Sequence, residues 1–269
     1  MPEPEVSPFD AADTALLIES VRESGEIARK YFGGPYKSWD KGHGNPVTEA
    51  DLAIDRRLRE VLLAARPDYG WLSEETEDDP ARLQKERVFV VDPIDGTVGF
   101  LKGRPHFTIV AAVVSHGRPV SAAIHNPITG QIYGATRGGG AQLDGRPIEV
   151  SRQDALDGAR VLAPRHSFAE THWREPWPAS MRIENRSSIA YRLALVAEGQ
   201  FDAMFSLSPK HDWDLAAGDL AVHEAKGRVT APDGAVLTFN KPQPLQRGVV
   251  GAGPRLHELL LERIRIGRS

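Results

Sequence analysis

A short apolar run that stops at two aspartates sets the strongest limit on how this chain folds. Val88 to Val91 are all apolar, and Asp-Pro-Ile-Asp-Gly-Thr follows them directly. The run predicts a buried strand, and Pro93 is expected to end its ladder because proline has no N–H to donate. Asp92 and Asp95 would then lie together at the end of a buried strand. Carboxylates in such a place repel each other and are costly to desolvate, and a divalent cation removes that cost.

Magnesium is the cation that these residue types favour. Mg²⁺ prefers hard oxygen ligands and keeps several waters, so that a few carboxylates suffice to hold it. The chain contains no cysteine, which excludes disulfides, zinc ribbons, iron–sulfur clusters and thiol catalysis. Any metal must therefore be held by oxygen or imidazole. The alternative interpretation is that Asp92 and Asp95 only form a turn, which is a common role of aspartate.

The order of the predicted elements indicates an α/β fold with stacked layers of sheets and helices. Two helices, over 10–32 and from Thr48 onwards, precede a β-rich stretch over 107–136. Helices and strands then alternate over 187–198, 202–206, 214–226, 248–251 and 254–264.

The chain is expected to form one structural unit over 1–269. No long linker, internal repeat or low-complexity tract interrupts the sequence. Within the unit we expect an N-terminal α+β part over about 10–150 and a C-terminal α/β part over about 151–265.

Composition predicts a globular protein without a membrane segment. Hydrophobic residues make up 41% and charged residues 26% of the chain, which is ordinary globular usage. No apolar run approaches the roughly 18 residues that a membrane span needs. The beginning of the chain lacks the apolar core of an export signal, so we expect a cytoplasmic protein. The formal net charge of −4 argues against a surface that coats nucleic acid.

Three further acidic residues stand at places where a strand or a helix begins or ends. Glu74 follows a short strand in LSEET, Asp214 precedes an apolar helical stripe in HDWDLAAGD, and Asp51 lies in NPVTEAD. Each also has a structural explanation. Glu74 belongs to an acidic run that is typical of a solvated face, Asp214 is a natural helix N-cap, and Asp51 has capping-box spacing from Thr48.

Taken together, these segments resemble a known family. GNPVTEAD, LSEET, VVDPIDGT and HDWDLAAGDLAVHEAKG, in this order and at these separations, are similar to the inositol monophosphatase family of Mg²⁺-dependent, lithium-sensitive phosphatases. The resemblance implies a layered α/β/α/β/α sandwich that hydrolyses a small phosphorylated metabolite with two or three Mg²⁺ ions. It also implies a homodimer, and no nucleic-acid polymer or membrane is expected as a partner.

The resemblance assigns a role to each matching residue. The implied metal ligands are Glu74, Asp92, the carbonyl of Ile94, Asp95 and Asp214. Thr97 is implied to pair with an acidic residue and orient the attacking water, a task that Glu74 shares. Asp51 is implied to be that acidic partner or a ligand of a third ion.

Contacts to the phosphate and to the rest of the substrate complete the expected site. The N–H groups of Asp95, Gly96 and Thr97 would bind phosphate oxygens if they open a helix. Lys41 falls in the loop that closes over the site in relatives. Lys41, Arg192 and Lys210 are the candidate cations for a second phosphate.

Two departures from the family pattern bear on the substrate. Val98-Gly99-Phe100 follows the DGT motif where inositol phosphatases often have Thr-Asn-Phe, and Leu207 stands seven residues before Asp214, where they carry a glutamate that binds ring hydroxyls. An apolar side chain cannot accept a hydrogen bond from a polyol.

SSIAYRLALVAEGQFD resembles the bacterial 3′(2′),5′-bisphosphate nucleotidases instead. The preferred substrate is therefore 3′-phosphoadenosine 5′-phosphate, hydrolysed to AMP. Inositol 1-phosphate and histidinol phosphate stay as alternatives within the enzyme class. A non-catalytic regulator on the same fold, binding RNA or a protein, is the alternative from another class.

Overall fold

The computed structural model describes residues 6–40, 42, 46–168 and 173–265. Its described part contains six α-helices: α1 Pro8–Tyr31, α2 Glu49–Ala65, α3 Thr97–Leu101, α4 Ile189–Ala197, α5 Asp212–Glu224 and α6 Pro254–Arg263.

The same residues form sixteen strands. These are β1 Ser38–Asp40, β2 Pro46–Thr48, β3 Gly70–Ser73, β4 Arg87–Asp95, β5 Thr108–Ser115, β6 Arg118–His125, β7 Ile132–Thr136, β8 Gly140–Leu143, β9 Arg146–Pro147, β10 Arg160–Leu162, β11 Arg182–Glu184, β12 Ala203–Ser206, β13 Lys210–His211, β14 Arg228–Thr230, β15 Leu245–Gln246 and β16 Val249–Ala252. No described helix has both the length and the apolar character needed to cross a bilayer.

The elements stack in five layers, which confirms the predicted α/β/α/β/α sandwich. Helices α1 and α2 cover one face of a seven-stranded sheet, ordered β3-β4-β5-β6-β7-β8-β9. Helices α4 and α5 lie between this sheet and a second, five-stranded sheet ordered β11-β10-β12-β16-β14. Helix α6 packs on the outer face of the second sheet. The division of the chain into an N-terminal and a C-terminal part stays a prediction.

Alternating side chains of the large sheet fill two separate apolar layers. Ala111 and Val113 of β5 face α1 and α2, whereas Val110 and Ala112 face α4 and α5. This is the two-sided burial that a strand with a period of two produces between helical layers. The sheet is mainly antiparallel, and within it β3 and β4 run parallel.

Most predicted elements of the first half are confirmed. Helix α2 begins with the predicted capping box, in which Thr48 and Asp51 bond to each other's backbone N–H groups. The sequence predicts an apolar stripe on this helix made of Ile54, Leu58, Val61 and Leu62. All of these are fully buried except Val61, which is half-buried. The prediction missed several short strands, among them β10, β11 and β14 of the second sheet.

The expectation that Pro93 ends the ladder of the central strand is wrong. Strand β4 continues to Asp95, and its register with β5 shifts by one residue after Asp92. Asp92 pairs with Val110 and Asp95 with Thr108, so that one extra residue is accommodated on β4. A bulge of this kind tolerates proline because the bulged residue need not donate to the ladder.

Two buried carboxylates attach α1 to the sheet. Asp13 accepts hydrogen bonds from Arg66 Nε at 2.8 Å, Tyr69 OH at 2.8 Å and Arg87 Nη1 at 3.1 Å. Asp10 accepts from Arg87 Nη2 at 2.6 Å. Both carboxylates are fully buried, and a buried charge is stable only when it is paired and hydrogen-bonded in this way.

We predict that Asp13→Ala lowers the free energy of unfolding by roughly 3 kcal/mol, because two arginines lose their buried partner. Urea denaturation measures this loss. Glu23→Ala is the control, since Glu23 pairs with Arg57 at 2.8 Å on the exposed surface and such pairs contribute little. Equal losses in the two variants would contradict the structural role of Asp13.

Candidate metal centre

Three carboxylates from two elements converge at the end of β4. One oxygen from each of Asp92, Asp95 and Asp214 lies within 4.8 Å of the others. Together they border a cavity of about 370 Å³. The residues that line this cavity are Pro46, Glu74, Asp92, Ile94, Asp95, Gly96, Thr97, Val98, Asn185, Ser187 and Asp214. The structure thus brings together all the residues that the sequence predicted as metal ligands.

Strand pairing positions Glu74, and the beginning of α5 positions Asp214. Ser73 of β3 pairs with Val91 of β4, so Glu74 follows immediately beside the end of the central strand, and its N–H donates to Val91 O at 3.3 Å. Asp214 is the third residue of α5, where its carboxylate accepts the N–H of His211 at 2.9 Å. The alternative that Asp214 is the N-cap is therefore wrong, because His211 holds that position.

Burial and mutual repulsion raise the pKa values of the cluster. Burial, followed by repulsion from Glu74 and Asp95, raises the pKa of Asp92 well above its usual value. The pKa of Asp214 is also raised well above its usual value, by burial and then by Asp95 and Glu74. A set of buried like charges made only of carboxylate oxygens fits a hard divalent cation such as Mg²⁺, which would remove the repulsion.

Asp95 is held by the N-terminus of α4. Its Oδ2 accepts hydrogen bonds from Ser188 Oγ at 2.7 Å and from the N–H of Ala190 at 2.6 Å, and its Oδ1 accepts from the N–H of Ile189 at 3.2 Å. Burial raises the pKa of Asp95 to about 6 against the opposing effect of these donors. Ser188 is the N-cap of α4, and its hydroxyl accepts from Tyr191 N at 2.8 Å. Its second partner, 93 residues away, gave no local signal.

Thr97 and Asp51 meet as the resemblance implied. Thr97 Oγ1 lies 3.1 Å from the carbonyl oxygen of Ile94 and 3.4 Å from Asp51 Oδ1. Asp51 is buried, which raises its pKa to about 6 although Thr48 donates to it. The carboxylate of Asp51 therefore takes part in the capping box and also lies next to Thr97.

Gly96 allows the close packing behind the cavity. It has φ +97° and is the N-cap of helix α3. A helix therefore begins at these residues, as the predicted binding of phosphate by the N–H groups of Asp95, Gly96 and Thr97 requires. A Cβ on Gly96 would come within 2.9 Å of both His106 O and Ser188 N. A larger residue would push α4 away from Asp95.

The candidate cations differ in their surroundings. Lys41 lies outside the described residues. Lys210 Nζ donates to Ser208 Oγ and Pro209 O, both at 2.9 Å, and burial lowers its pKa while nearby Asp214 opposes that shift. Arg192 is 4% exposed and its Nε donates to Arg186 O at 2.7 Å, so the structure directs it to the protein backbone and not into the cavity.

Leu207, which stands where inositol phosphatases carry a hydroxyl-binding glutamate, does not face the cavity. It is half-buried and packs against the apolar cluster that contains Trp173 and Phe205. It does not belong to the residues that line the cavity. The argument that Leu207 disfavours a polyol in this cavity therefore has no support in the described part of the structure.

Comparisons with known proteins agree with the fold and with the family resemblance. A family model described as the inositol monophosphatase family matches residues 10–268. Inositol-1-monophosphatase from Rhizobium meliloti is 33% identical over 247 residues, which cover 88% of this chain and 90% of that protein. Nus factor SuhB from Escherichia coli is 29% identical over 260 residues, with 93% and 94% covered. The crystal structure of extragenic suppressor protein suhB from Bartonella henselae superposes with a TM-score of 0.80 at 26% identity, covering 93% of this chain and 97% of that one.

Two isosteric variants distinguish the repulsion among the carboxylates from the hydrogen bonds that Asp95 makes to α4 in the metal-free protein. We predict that Asp92→Asn raises the melting temperature, because it removes a repelled charge and keeps the acceptor for Ile94 N–H, 3.0 Å away. Asp95→Asn should lower it by several degrees, since α4 loses a charged cap worth about 1–3 kcal/mol. Thermal unfolding in excess chelator at pH 7.5 measures both. A loss of stability in Asp92→Asn as large as that in Asp95→Asn would show that repulsion does not dominate at Asp92.

Proposed function

The chain belongs to the inositol monophosphatase family of metal-dependent phosphatases, and on this basis we propose that it hydrolyses the phosphate monoester of a small metabolite with two or three Mg²⁺ ions. The proposed ligands are Glu74, Asp92, the carbonyl of Ile94, Asp95 and Asp214. The observation that carries the proposal is the convergence of three carboxylates within 4.8 Å beside a cavity. No imidazole or thiolate belongs to that group of ligand atoms, so the donor set suits a hard cation.

The residues of the chain have separate tasks in this reaction. When bound, Mg²⁺ lowers the pKa of water and neutralises the leaving oxygen. Thr97, held by Ile94 O and next to Asp51, orients the attacking water together with Glu74. The N–H groups of Asp95, Gly96 and Thr97 bind phosphate oxygens at the start of α3. Positioning and charge neutralisation of this kind account for most of the catalysis in phosphoryl transfer.

Within this activity, the proposed substrate is 3′-phosphoadenosine 5′-phosphate. The support is the resemblance of SSIAYRLALVAEGQFD to bisphosphate nucleotidases together with Lys210, which precedes α5 and interacts electrostatically with Asp214 and Asp95. Neither Lys210 nor Arg192 belongs to the residues that line the cavity. We assign Lys210 to the second phosphate because it is half-buried and interacts with Asp214, whereas Arg192 donates to Arg186 O.

Inositol 1-phosphate is the second candidate substrate. The name of the Rhizobium meliloti relative, at 33% identity, favours it, as do the polar side chains of Asn185 and Ser187 in the cavity lining. A regulatory role without catalysis, suggested by the name of the Nus factor relatives, would not require the buried carboxylates to persist. The cytoplasmic location and the homodimer stay predictions.

The first prediction from this proposal concerns the metal. Turnover of a phosphate monoester should require Mg²⁺ and disappear on chelation, because the carboxylates alone repel the anionic substrate. Assays on metal-stripped protein, with metal content verified, measure this dependence. Full turnover without metal would refute the assignment, and binding of a macromolecule without any turnover would favour the regulatory role.

The second prediction concerns the substrate. Hydrolysis of 3′-phosphoadenosine 5′-phosphate should proceed with a higher kcat/KM than that of inositol 1-phosphate or histidinol phosphate. Lys210→Met should raise KM for the nucleotide about 10- to 100-fold, the effect of losing a hydrogen bond to a charged group, and leave inositol 1-phosphate within about threefold. Lys226→Met is the control, since Lys226 is exposed and pairs with Glu149. Higher kcat/KM for inositol 1-phosphate would overturn the nucleotide assignment and leave the phosphatase assignment intact.

A further inference from the structure

A buried aspartate of α2 holds the turn that carries Glu74 through hydrogen bonds. Asp55, which is 8% exposed, accepts a hydrogen bond from Ser73 Oγ at 2.5 Å on Oδ1 and from Thr76 Oγ1 at 2.7 Å on Oδ2. The two hydroxyls belong to the residues on either side of the Glu74-Glu75 pair. One carboxylate therefore closes the turn from both ends.

Further hydrogen bonds make this turn rigid. Trp71 Nε1 donates to Thr76 Oγ1 at 3.3 Å, and Glu75 N donates to Ser73 Oγ at 3.4 Å. On the side of the sheet, Glu74 N donates to the carbonyl of Val91 in β4. The main chain at Glu74 is thus held between α2 and the central strand.

Repulsion between Glu74 and the neighbouring carboxylates explains why a rigid turn is useful at this place. Glu74 is the largest charged contributor to the raised pKa of Asp92 and a contributor to that of Asp214. In the metal-free protein the same repulsion pushes the Glu74 carboxylate away from the cluster. A turn that resists this push keeps the ligand in place before the cation arrives, which is how supporting residues raise metal affinity.

The position of Asp55 on α2 fits this role. Asp51 lies four residues earlier, on the same face of the helix, and faces Thr97. One helix therefore supports two parts of the site, Thr97 through Asp51 and Glu74 through Asp55. Burying a carboxylate is costly unless its oxygens are hydrogen-bonded, and here both oxygens accept from the turn that bears Glu74.

We propose that Asp55 is a positioning residue that presets Glu74 for metal binding through the hydroxyls of Ser73 and Thr76. The proposal rests on the proposed function of the site, in which Glu74 is a ligand. Loss of such support typically weakens metal binding about 10- to 100-fold. The contact to the substrate is left intact, so KM for the phosphate ester at saturating Mg²⁺ should change by less than about threefold.

Calorimetric titration of Mg²⁺ into metal-stripped protein tests the proposal without any turnover. Asp55→Ala should raise the dissociation constant of Mg²⁺ about 10- to 100-fold, and Asp55→Asn, which keeps one acceptor, should raise it less. The double variant Ser73→Ala/Thr76→Val should match Asp55→Ala, and combining all three changes should add little, because they remove one and the same connection. In assays, activity of Asp55→Ala should recover largely when Mg²⁺ is raised in proportion.

Asp13→Ala is the matched control. Asp13 is also a buried carboxylate, and it accepts hydrogen bonds from Arg66 and Tyr69, which follow α2 in the chain. These hydrogen bonds are separate from those of the turn that carries Glu74. The dissociation constant of Asp13→Ala for Mg²⁺ should equal that of the wild type. Equal weakening in Asp13→Ala and Asp55→Ala would overturn the proposal in favour of general destabilisation. If Glu74→Gln abolishes binding while Asp55→Ala binds normally, the positioning role alone fails. If the wild type neither binds Mg²⁺ nor hydrolyses phosphate esters, the proposed function fails with it.

Discussion

Mutual repulsion among buried carboxylates is the constraint around which this structure is organised. Asp92, Asp95 and Asp214 come within 4.8 Å of one another, and without compensation such a cluster would open the fold at the end of the central strand. The chain compensates with helix N-termini. Asp51 lies in the first turn of α2, Asp214 in the first turn of α5, and Asp95 accepts the first N–H groups of α4. The partial positive charge at each helix start favours a carboxylate, so three helices converge on the cavity and leave room for a cation.

The bulge in β4 is what allows two of these carboxylates to act together. Asp92 and Asp95 are three residues apart, and in a regular strand an odd separation puts side chains on opposite faces. The register shift after Asp92 inserts one extra residue and brings both side chains to the same cluster. Pro93 marks the place of the bulge, but proline is equally compatible with the end of a strand. The sequence therefore predicted the residues and not the backbone that joins them.

How far the sequence could predict the rest depended on the range of each interaction. The capping box of Thr48 and Asp51 involves neighbours and was visible in four letters. The contacts of Asp55 with Ser73 and Thr76, and of Ser188 with Asp95, join residues 18 to 93 positions apart and leave no local pattern. Strands of three residues in the second sheet, such as β10 and β14, are too short to show a period. The proposed metal ligands were identified by family resemblance, because each acidic residue alone had a structural explanation.

The proposed substrate contacts come from different elements from the proposed metal ligands, which is why the ligands do not decide between the candidate substrates. Gly99 occurs where the family often has asparagine, and a Cβ at this position would lie 2.8 Å from Ser187 Oγ. The space left by the missing side chain is therefore taken by a hydroxyl that lines the cavity. A polar group lost from α3 is replaced by one from the segment before α4, so the departure at Gly99 does not by itself exclude a polyol. Together with the position of Leu207 against the aromatic cluster, this leaves the proposal of a nucleotide substrate with two supports, the resemblance of SSIAYRLALVAEGQFD to bisphosphate nucleotidases and the side chain of Lys210. Under the proposed function, discrimination between substrates depends on whether a second anionic group is present to bind that lysine.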